Sequence, residues 1–259
     1  MIQVRLLQVE SAETEAVQAR VERVLESLEF HAQKCDVLVL PELWHIGAFN
    51  LAAVKSHALT LDDECFQTMS TIAAKTQTWI HAGSFAIKSE SGKASNTSLL
   101  YGPSGHIAAQ YRKQHLFGFA DGERTVIDAS SDQVLIDSPL GITALTTCYD
   151  LRFPEQYRDL LDLGAETFLT CAGWPTPRIS HWEVLNRARA IENQAWVVAC
   201  NGRGTHAGVT LGGNSMVISP KGDVIAQASA DDEYIDATVD VSLVNEWRTS
   251  FPVIADRIR

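Results

Sequence analysis

The sequence predicts a single α/β domain, and three observations lead to this fold class. Short apolar runs rich in β-branched residues alternate with stretches whose apolar residues recur at helical spacing. The 259 residues, 46% of them hydrophobic and 20% charged, suit one large globular domain. No low-complexity segment or Pro/Ser-rich linker interrupts the order. We therefore expect one domain over residues 1–259, in which helices flank mixed sheets.

The N-terminal region predicts a strand that leads into a helix. Residues 2–9 are largely apolar, as expected of a strand. Ser11 is a candidate cap for a helix reaching about residue 30, with Glu13 and Glu15 in its first turn. Valines and leucines at helical spacing give this helix one apolar face.

The rest of the chain repeats this alternation. The continuous apolar run at 36–40 is typical of a strand buried on both faces. Residues 202–215 are Gly-rich without a phosphate-binding pattern, so we expect a turn-rich loop there. We expect the tail, residues 240–259, to dock on a partner subunit. The other expected elements are strands at 79–86, 133–136, 142–147, 166–172 and 195–201, helices at about 62–76, from Pro154 and at 179–194, and hairpins over 95–113 and 214–229.

Charge and hydropathy narrow the possible partners. A net charge of −11 argues against nucleic-acid binding, which needs clustered Lys and Arg, and against anionic membranes. A small anionic substrate stays possible, because one local basic residue can outweigh a distant acidic surface. No apolar run approaches the roughly 20 residues that span a bilayer, and the N-terminus lacks a secretory-signal pattern. We therefore expect a cytoplasmic protein with neither nucleic-acid nor membrane partners.

The five cysteines do not form a recognisable framework. Their number is odd, their spacing is wide and no C-x-x-C pair occurs. A disulfide framework and a zinc site of the usual spacing are therefore not expected. Most of these residues should be reduced thiols that pack as small hydrophobes.

Three polar residues follow apolar strands at the positions where an α/β fold exposes reactive groups. Glu42 follows "VLVLP", Lys113 follows "HIAAQYR" and Cys148 follows "GITALTT". Each alone has an ordinary interpretation, namely a surface carboxylate, a solvated lysine and a structural thiol. Together they form a complete chemical set, because a thiol must lose a proton before it attacks. A carboxylate can take that proton, and an ammonium and the N–H of Tyr149 can stabilise an oxyanion.

These residues also carry a resemblance to a known family. "VLPELWHIG", "YRKQHLF" and "TTCYDLRFPE" resemble the three motif blocks of the nitrilase (carbon–nitrogen hydrolase) superfamily, and they occur in the expected order. The resemblance extends over residues 2 to 240. It implies a four-layer α-β-β-α sandwich, a triad of Glu42, Lys113 and Cys148, and a homodimer or larger homo-oligomer. It implies no metal and no other cofactor.

The resemblance also implies supporting residues around the triad. Many members carry a second glutamate after the lysine block, which here is Glu123 with Asp121 as its competitor. Trp174 matches a position that lines the pocket, with a plain core tryptophan as the alternative. Gly173 stands where asparagine is more usual, which removes a polar side chain and would enlarge the pocket.

Asp150 and Arg152, both of which follow Cys148 in the sequence, are expected to stabilise the turn that carries it. Asp150 and Arg152 match motif positions for which we expect structural ion pairing. His115 is expected to pack or to hydrogen bond, because Glu42 already supplies a base.

The function that follows is hydrolysis of a small primary amide through a cysteine thioester. The wording of the motifs resembles the omega-amidase-like branch, whose substrates are omega-amides of short 2-oxo dicarboxylic acids. That branch predicts a basic group near the pocket, for which Arg178, Arg203 and Lys113 are candidates. A nitrilase, an N-carbamoyl hydrolase and a deaminated-glutathione amidase are alternatives with the same triad. A catalytically silent binding or scaffold protein is the alternative of another class.

Overall fold

The computed structural model describes residues 1–258, which fold into two mixed sheets flanked by helices. The helices are Val17–Ala32 (α1), Leu51–Ser56 (α2), Glu64–Thr76 (α3), Pro154–Asp162 (α4), Ile179–Asn193 (α5) and Ser242–Ser250 (α6). The strands are Ile2–Leu7 (β1), Val37–Val39 (β2), Trp79–Lys88 (β3), Ala94–Tyr101 (β4), Ile107–Arg112 (β5), Leu135–Ser138 (β6), Gly141–Thr147 (β7), Thr167–Ala172 (β8), Trp196–Asn201 (β9), Arg203–His206 (β10), Val209–Gly212 (β11), Met216–Ile218 (β12), Val224–Gln227 (β13) and Tyr234–Val239 (β14).

The two large sheets have matching topologies. One has six strands in the order β14-β1-β2-β3-β4-β5, and the other has six in the order β13-β12-β9-β8-β7-β6. In each sheet the central three strands run parallel and the outer strands pair antiparallel. Parallel strands place their carboxyl ends at the same edge of a sheet, so residues that follow β7 and β8 lie together. The end of β2 in the other sheet joins them, because the Glu42 N–H donates to the Ala172 carbonyl of β8 at 3.3 Å.

Three apolar clusters stack these elements into four layers. Val37 and Val39 of β2 pack with Leu169 of β8 in the cluster between the two sheets. Leu38, which points to the opposite face of β2, joins a cluster with α1 and α3. Phe168 of β8 likewise joins a cluster with α4 and α5. The predicted four-layer α-β-β-α sandwich is therefore confirmed.

The start of the first helix differs from the prediction. Helix α1 begins at Val17, and its cap is Ala16 rather than Ser11. The Ser11 N–H instead donates to the Arg203 carbonyl at 2.9 Å. Glu15 accepts from Arg20 and Arg23 at 2.9 and 2.7 Å. Contacts with a distant segment and two ion pairs therefore outweigh the local capping preference.

Residues 202–215 were expected to be a loop, and that prediction is wrong. Strands β10 and β11 pair antiparallel over four residue pairs and form a small two-stranded sheet. Local sequence hides this hairpin, because glycines occupy positions that ordinarily weaken strands. Helix α2 and strand β14 also lack a predicted counterpart.

Part of the C-terminal tail packs on the chain's own body. Val244 of α6 is buried between the sheets' apolar side chains. Arg248 donates to the carbonyls of Ala165, Asn193 and Gln194 at 2.7–3.2 Å. The expected docking of residues 240–259 on a partner subunit stays a prediction.

Residues 1–258 contain neither a candidate membrane-spanning helix nor a candidate metal-binding cluster. No helix in this range is long and apolar enough to cross a membrane. No group of three or more His, Cys, Asp or Glu side chains in the same range could hold a metal ion.

Candidate active site

The three strand-end residues predicted to act together do meet in the structure. Glu42 lies three residues after β2, Lys113 directly follows β5 and Cys148 directly follows β7. Lys113 Nζ donates to Glu42 Oε1 at 2.8 Å. Cys148 lines the same cavity as these two side chains, and the charges of Glu42 and Lys113 both act on its thiol. Side chains from two different sheets therefore form one buried cluster.

Glu42 is held by three donors. Its Oε1 accepts from Asn96 Nδ2 and Lys113 Nζ, both at 2.8 Å. Its Oε2 accepts from the Gly173 N–H at 2.9 Å. A carboxylate has about four lone-pair sites, so one site stays open toward the cavity. Asn96 was missed at the sequence level, because its position at the start of a predicted hairpin strand carries no chemical signal.

Lys113 bridges two carboxylates. Besides Glu42, it donates to Glu123 Oε1 at 2.8 Å, and its side chain is 1% exposed. Burial alone would lower the pKa of Lys113, but the charges of Glu123 and Glu42 outweigh burial and hold that pKa well above its ordinary value. The side chain is therefore an ammonium with three donors, of which two are used by carboxylates.

Glu123 is the buried acid of the loop that follows Lys113. Its Oε2 accepts from the Phe117 N–H at 2.7 Å. Burial raises the pKa of Glu123 and the charge of Glu42 adds to this effect, while Lys113 opposes it. Asp121, the competing acid, lines the cavity but is exposed. The geometry thus joins Glu123, and not Asp121, to the Lys113 ammonium.

Cys148 sits on a strained turn. Its backbone φ is +49°, which lies in the left-handed region. A residue that carries a side chain adopts this conformation only at a cost in free energy. The residue opens a 3-10 turn over Cys148–Arg152 that leads into α4. Burial raises the pKa of the Cys148 thiol well above its ordinary value, and the charge of Glu42 raises it further. The thiol is therefore protonated at neutral pH.

Asp150 ties this turn to the lysine loop. Its Oδ2 accepts from the Thr147 N–H at 2.9 Å and from the Tyr111 hydroxyl at 2.6 Å. Its Oδ1 accepts from the backbone N–H of His115 at 3.0 Å and from His115 Nδ1 at 2.9 Å. Asp150 thus hydrogen bonds to both the backbone and the ring of His115, and that ring stacks on the Phe153 ring at 3.7 Å, while the expected ion pairing of Asp150 stays a prediction.

Arg152 does not form the expected ion pair with any described residue. Its guanidinium lies over the Trp174 ring at 4.7 Å and contacts His181 Nδ1 at 3.3 Å. Burial lowers the pKa of Arg152, and the nearby Arg178 lowers it further. Arg152 therefore faces the region beyond the nucleophile turn with no carboxylate partner among residues 1–258.

Trp174 is a core residue rather than part of the cavity wall. Its side chain is 2% exposed in a cluster with Trp182, whose ring centroid is 5.6 Å away. Its Nε1 donates to the Arg178 carbonyl at 2.7 Å. Trp174 is absent from the residues that line the cavity, and the expected contact with substrate stays a prediction.

A cavity of about 200 Å³ opens over the buried cluster. This volume is smaller than the roughly 300–1,000 Å³ of sites for drug-sized ligands, so it suits a small substrate. Its walls combine the polar cluster with apolar residues from two loops. The lining residues are Glu42, Ala48, Phe49, Leu51, Lys113, Phe117, Gly118, Asp121, Gly122, Glu123, Cys148 and Gly173.

Of the basic residues proposed for the pocket, Arg178 lies beside its wall. The Arg178 guanidinium is 5.3 Å from the centre of the Phe117 ring, which lines the cavity. No ion pair of the described chain includes Arg178. Arg203 instead pairs with Glu10 at 3.1 Å and donates to the Gln8 carbonyl at 3.2 Å. Lys113 is committed to Glu42 and Glu123.

The chain is similar to known proteins over most of its length. The model of the family described as carbon-nitrogen hydrolase matches residues 3–249. The chain is 41% identical to 2-oxoglutaramate amidase from Paenarthrobacter nicotinovorans, covering 99% of this chain and 89% of that protein. It is 39% identical to omega-amidase YafV from Escherichia coli, covering 85% of this chain and 84% of that protein.

A solved structure shows the same fold. The NitFhit protein of Caenorhabditis elegans superimposes with a TM-score of 0.89 at 29% identity. The alignment covers 99% of this chain and 65% of that one. With matched motifs, a shared fold and relatives that are amidases, this chain belongs to the carbon-nitrogen hydrolase family and is an amidohydrolase acting on carbon–nitrogen bonds other than peptide bonds.

Proposed function

We propose that this amidohydrolase cleaves omega-amides of short 2-oxo dicarboxylic acids through a thioester on Cys148. The observation that carries the proposal is the buried cluster of Glu42, Lys113, Glu123 and Cys148 beneath a cavity of about 200 Å³. The cluster contains an acid, an ammonium and a thiol within one buried site. The names of the relatives support the choice of substrate class.

The first half of the reaction forms the thioester. Glu42 takes the proton of the Cys148 thiol through its open lone pair as sulfur bonds to the amide carbon. The thiol's raised pKa favours proton transfer during the attack rather than before it. The remaining N–H of Lys113 and the N–H of Tyr149 stabilise the oxyanion. Collapse breaks the C–N bond, and Glu42 returns the proton to the leaving nitrogen, which departs as ammonia.

The second half releases the acid. Glu42 removes a proton from a water molecule as its oxygen attacks the thioester carbon. Glu123, held by Lys113 and the Phe117 N–H, orients this water or the substrate. The C–S bond then breaks and the sulfur recovers its proton from Glu42. The balance is one amide and one water consumed, with one carboxylic acid and one ammonia produced.

Arg178 is the proposed partner for the distal carboxylate of the substrate. Its guanidinium lies over Phe117 at the cavity wall, and Arg152 adds a second cation on the same side. A charge-assisted hydrogen bond contributes about 1.5–3 kcal/mol. Arg178→Met should therefore lower kcat/KM for an omega-amide about 10- to 150-fold while leaving an uncharged amide unaffected. Equal losses for both substrates would contradict this assignment.

The reaction class is tested by the rate of ammonia release from a panel of amides, ureas and nitriles. We expect omega-amides to be the best substrates. Activity confined to nitriles or to ureas would favour the nitrilase or N-carbamoyl hydrolase alternative. Preference for a deaminated tripeptide amide would favour the third alternative.

We also propose a homodimer or larger homo-oligomer in the cytoplasm. Exposed apolar side chains on α5 (Val184 and Ile191) and on the tail (Phe251 and Val253) support association. Free thiols at all five cysteines support a reducing compartment. Light scattering of the full chain gives its oligomeric state, and the same measurement on a chain ending at residue 250 tests the role of the tail. A monomer in both cases would contradict the proposed homo-oligomer.

A further inference from the structure

The wall of the cavity beside Glu42 is built from a glycine packed against an alanine. Gly173 follows β8 and donates its N–H to Glu42 Oε2 at 2.9 Å. A Cβ added at Gly173 would lie 2.2 Å from the Ala48 Cβ, far inside any allowed contact. The Ala48 methyl thus occupies the volume that a side chain at position 173 would need. The sequence-based expectation of a larger pocket at Gly173 is therefore wrong.

The segment that carries Ala48 has no room to move away. Gly47 has φ of +84°, and a Cβ there would lie 2.1 Å from the His206 ring. Asn50 contacts the same ring, with 3.0 Å between its Nδ2 and His206 Nε2. Asn50 Oδ1 also accepts from the Ala53 N–H at 3.2 Å, which fixes the orientation of the amide. His206 of β10 therefore keeps the segment that contains Ala48 packed against Gly173.

Ala48 and Gly173 both line the cavity together with Cys148 and Glu42. We propose that Ala48 is a specificity-determining residue that sets the width of the acyl site beside the nucleophile. Its methyl group admits a CH₂ next to the amide carbonyl and excludes a branch at that carbon. This inference rests on the proposed function, because the omega-amide of a short dicarboxylic acid carries such an unbranched carbon.

The test compares two amides that differ by one methyl group. Glutaramate is unbranched beside its amide, and its 4-methyl analogue is branched there. One methylene in an apolar pocket is worth about 10- to 200-fold in discrimination. Ala48→Gly should therefore raise the kcat/KM of the branched amide relative to the unbranched one at least about 10-fold. Ala48→Val should lower kcat/KM for both.

A reciprocal pair of variants separates specificity from general damage. Gly173→Ala should lower kcat for both amides, since its methyl collides with Ala48 and displaces the donor to Glu42. The double variant Ala48→Gly with Gly173→Ala should regain turnover of the unbranched amide while again rejecting the branched one. Ala86→Gly is the matched control, because Ala86 belongs to the same apolar cluster but does not line the cavity. It should leave the ratio unchanged.

The outcomes are distinguishable. An unchanged ratio in Ala48→Gly, with turnover of glutaramate intact, would overturn the inference while leaving the proposed function standing. A fully active Gly173→Ala single variant would also overturn it. Failure of the unmodified protein to release ammonia from both glutaramate and 2-oxoglutaramate would overturn both.

Discussion

Replacing Asp150 by asparagine removes one acceptor from a buried carboxylate that receives four hydrogen bonds. The amide can keep its oxygen toward the Thr147 N–H and the Tyr111 hydroxyl. That orientation is favoured, because the Tyr111 oxygen already accepts from Gln156 and Gln114 and must direct its own proton at residue 150. The new NH₂ then faces His115, whose ring can change tautomer but whose backbone N–H loses its acceptor.

The expected loss of stability follows from the one donor, the His115 backbone N–H, that is left without an acceptor. One donor left unsatisfied at a buried site costs about 1–3 kcal/mol. At roughly 2–4 °C per kcal/mol for a domain of this size, the Tm should fall by about 2–12 °C. Asp150→Ala strands all four donors and should cost more. Calorimetry or thermal circular dichroism at pH 7 gives both values.

The control for Asp150→Asn is Asp132→Asn, which weakens an exposed ion pair with Arg112. Solvent screens so exposed a pair and it contributes little to stability, so its Tm should barely change. Because the Thr147 link survives in Asp150→Asn, the nucleophile turn should keep its shape. Its kcat should then fall much less than that of Asp150→Ala. Equal Tm values for Asp150→Asn and Asp132→Asn would contradict the expected cost of leaving the His115 N–H without an acceptor.

Two further predictions concern acidity. Glu123→Gln should lower kcat at least about 10-fold, because its amide cannot accept from both Lys113 and the Phe117 N–H. Asp121→Asn should have little effect on kcat. If steady-state ammonia release falls more in Asp121→Asn than in Glu123→Gln, Asp121 is the second acid. Burial lowers the pKa of His45 to about 3, so the unfolded chain binds a proton below pH 6.5 that the native fold rejects, and stability falls with acidification. Between pH 6.5 and pH 5, the free energy of unfolding measured in urea should fall by about 2 kcal/mol less for His45→Leu than for the unmodified protein. Equal decreases in the two proteins would count against a buried neutral His45.

The sequence predicts the fold well where local pattern and burial agree. The run at residues 36–40 is apolar throughout because β2 is covered on both faces, by α1 and α3 on one side and by the second sheet on the other. Strand-end positions likewise brought Glu42, Lys113 and Cys148 together. The ends of β2, β5 and β7 meet where the two sheets stack, so these positions carry the geometry of the site.

Contacts between distant segments set the limits of sequence-based prediction. Ser11 has the chemistry of a helix cap, but the hairpin of β10 and β11 binds its backbone instead. Trp174 matches a pocket position, yet its indole turns into the core behind Gly173. The Ala48–Gly173 contact has no local signal at all, because it depends on two loops that are 125 positions apart in the chain.

Covalent catalysis by Cys148 can be observed by mass spectrometry of the rapidly quenched reaction. With an omega-amide as substrate, we expect an added acyl mass on the peptide that contains Cys148. The Cys148→Ala variant should stay folded, carry no adduct and release no ammonia. An acyl group on a different residue, or ammonia release by Cys148→Ala at the rate of the unmodified protein, would contradict the account.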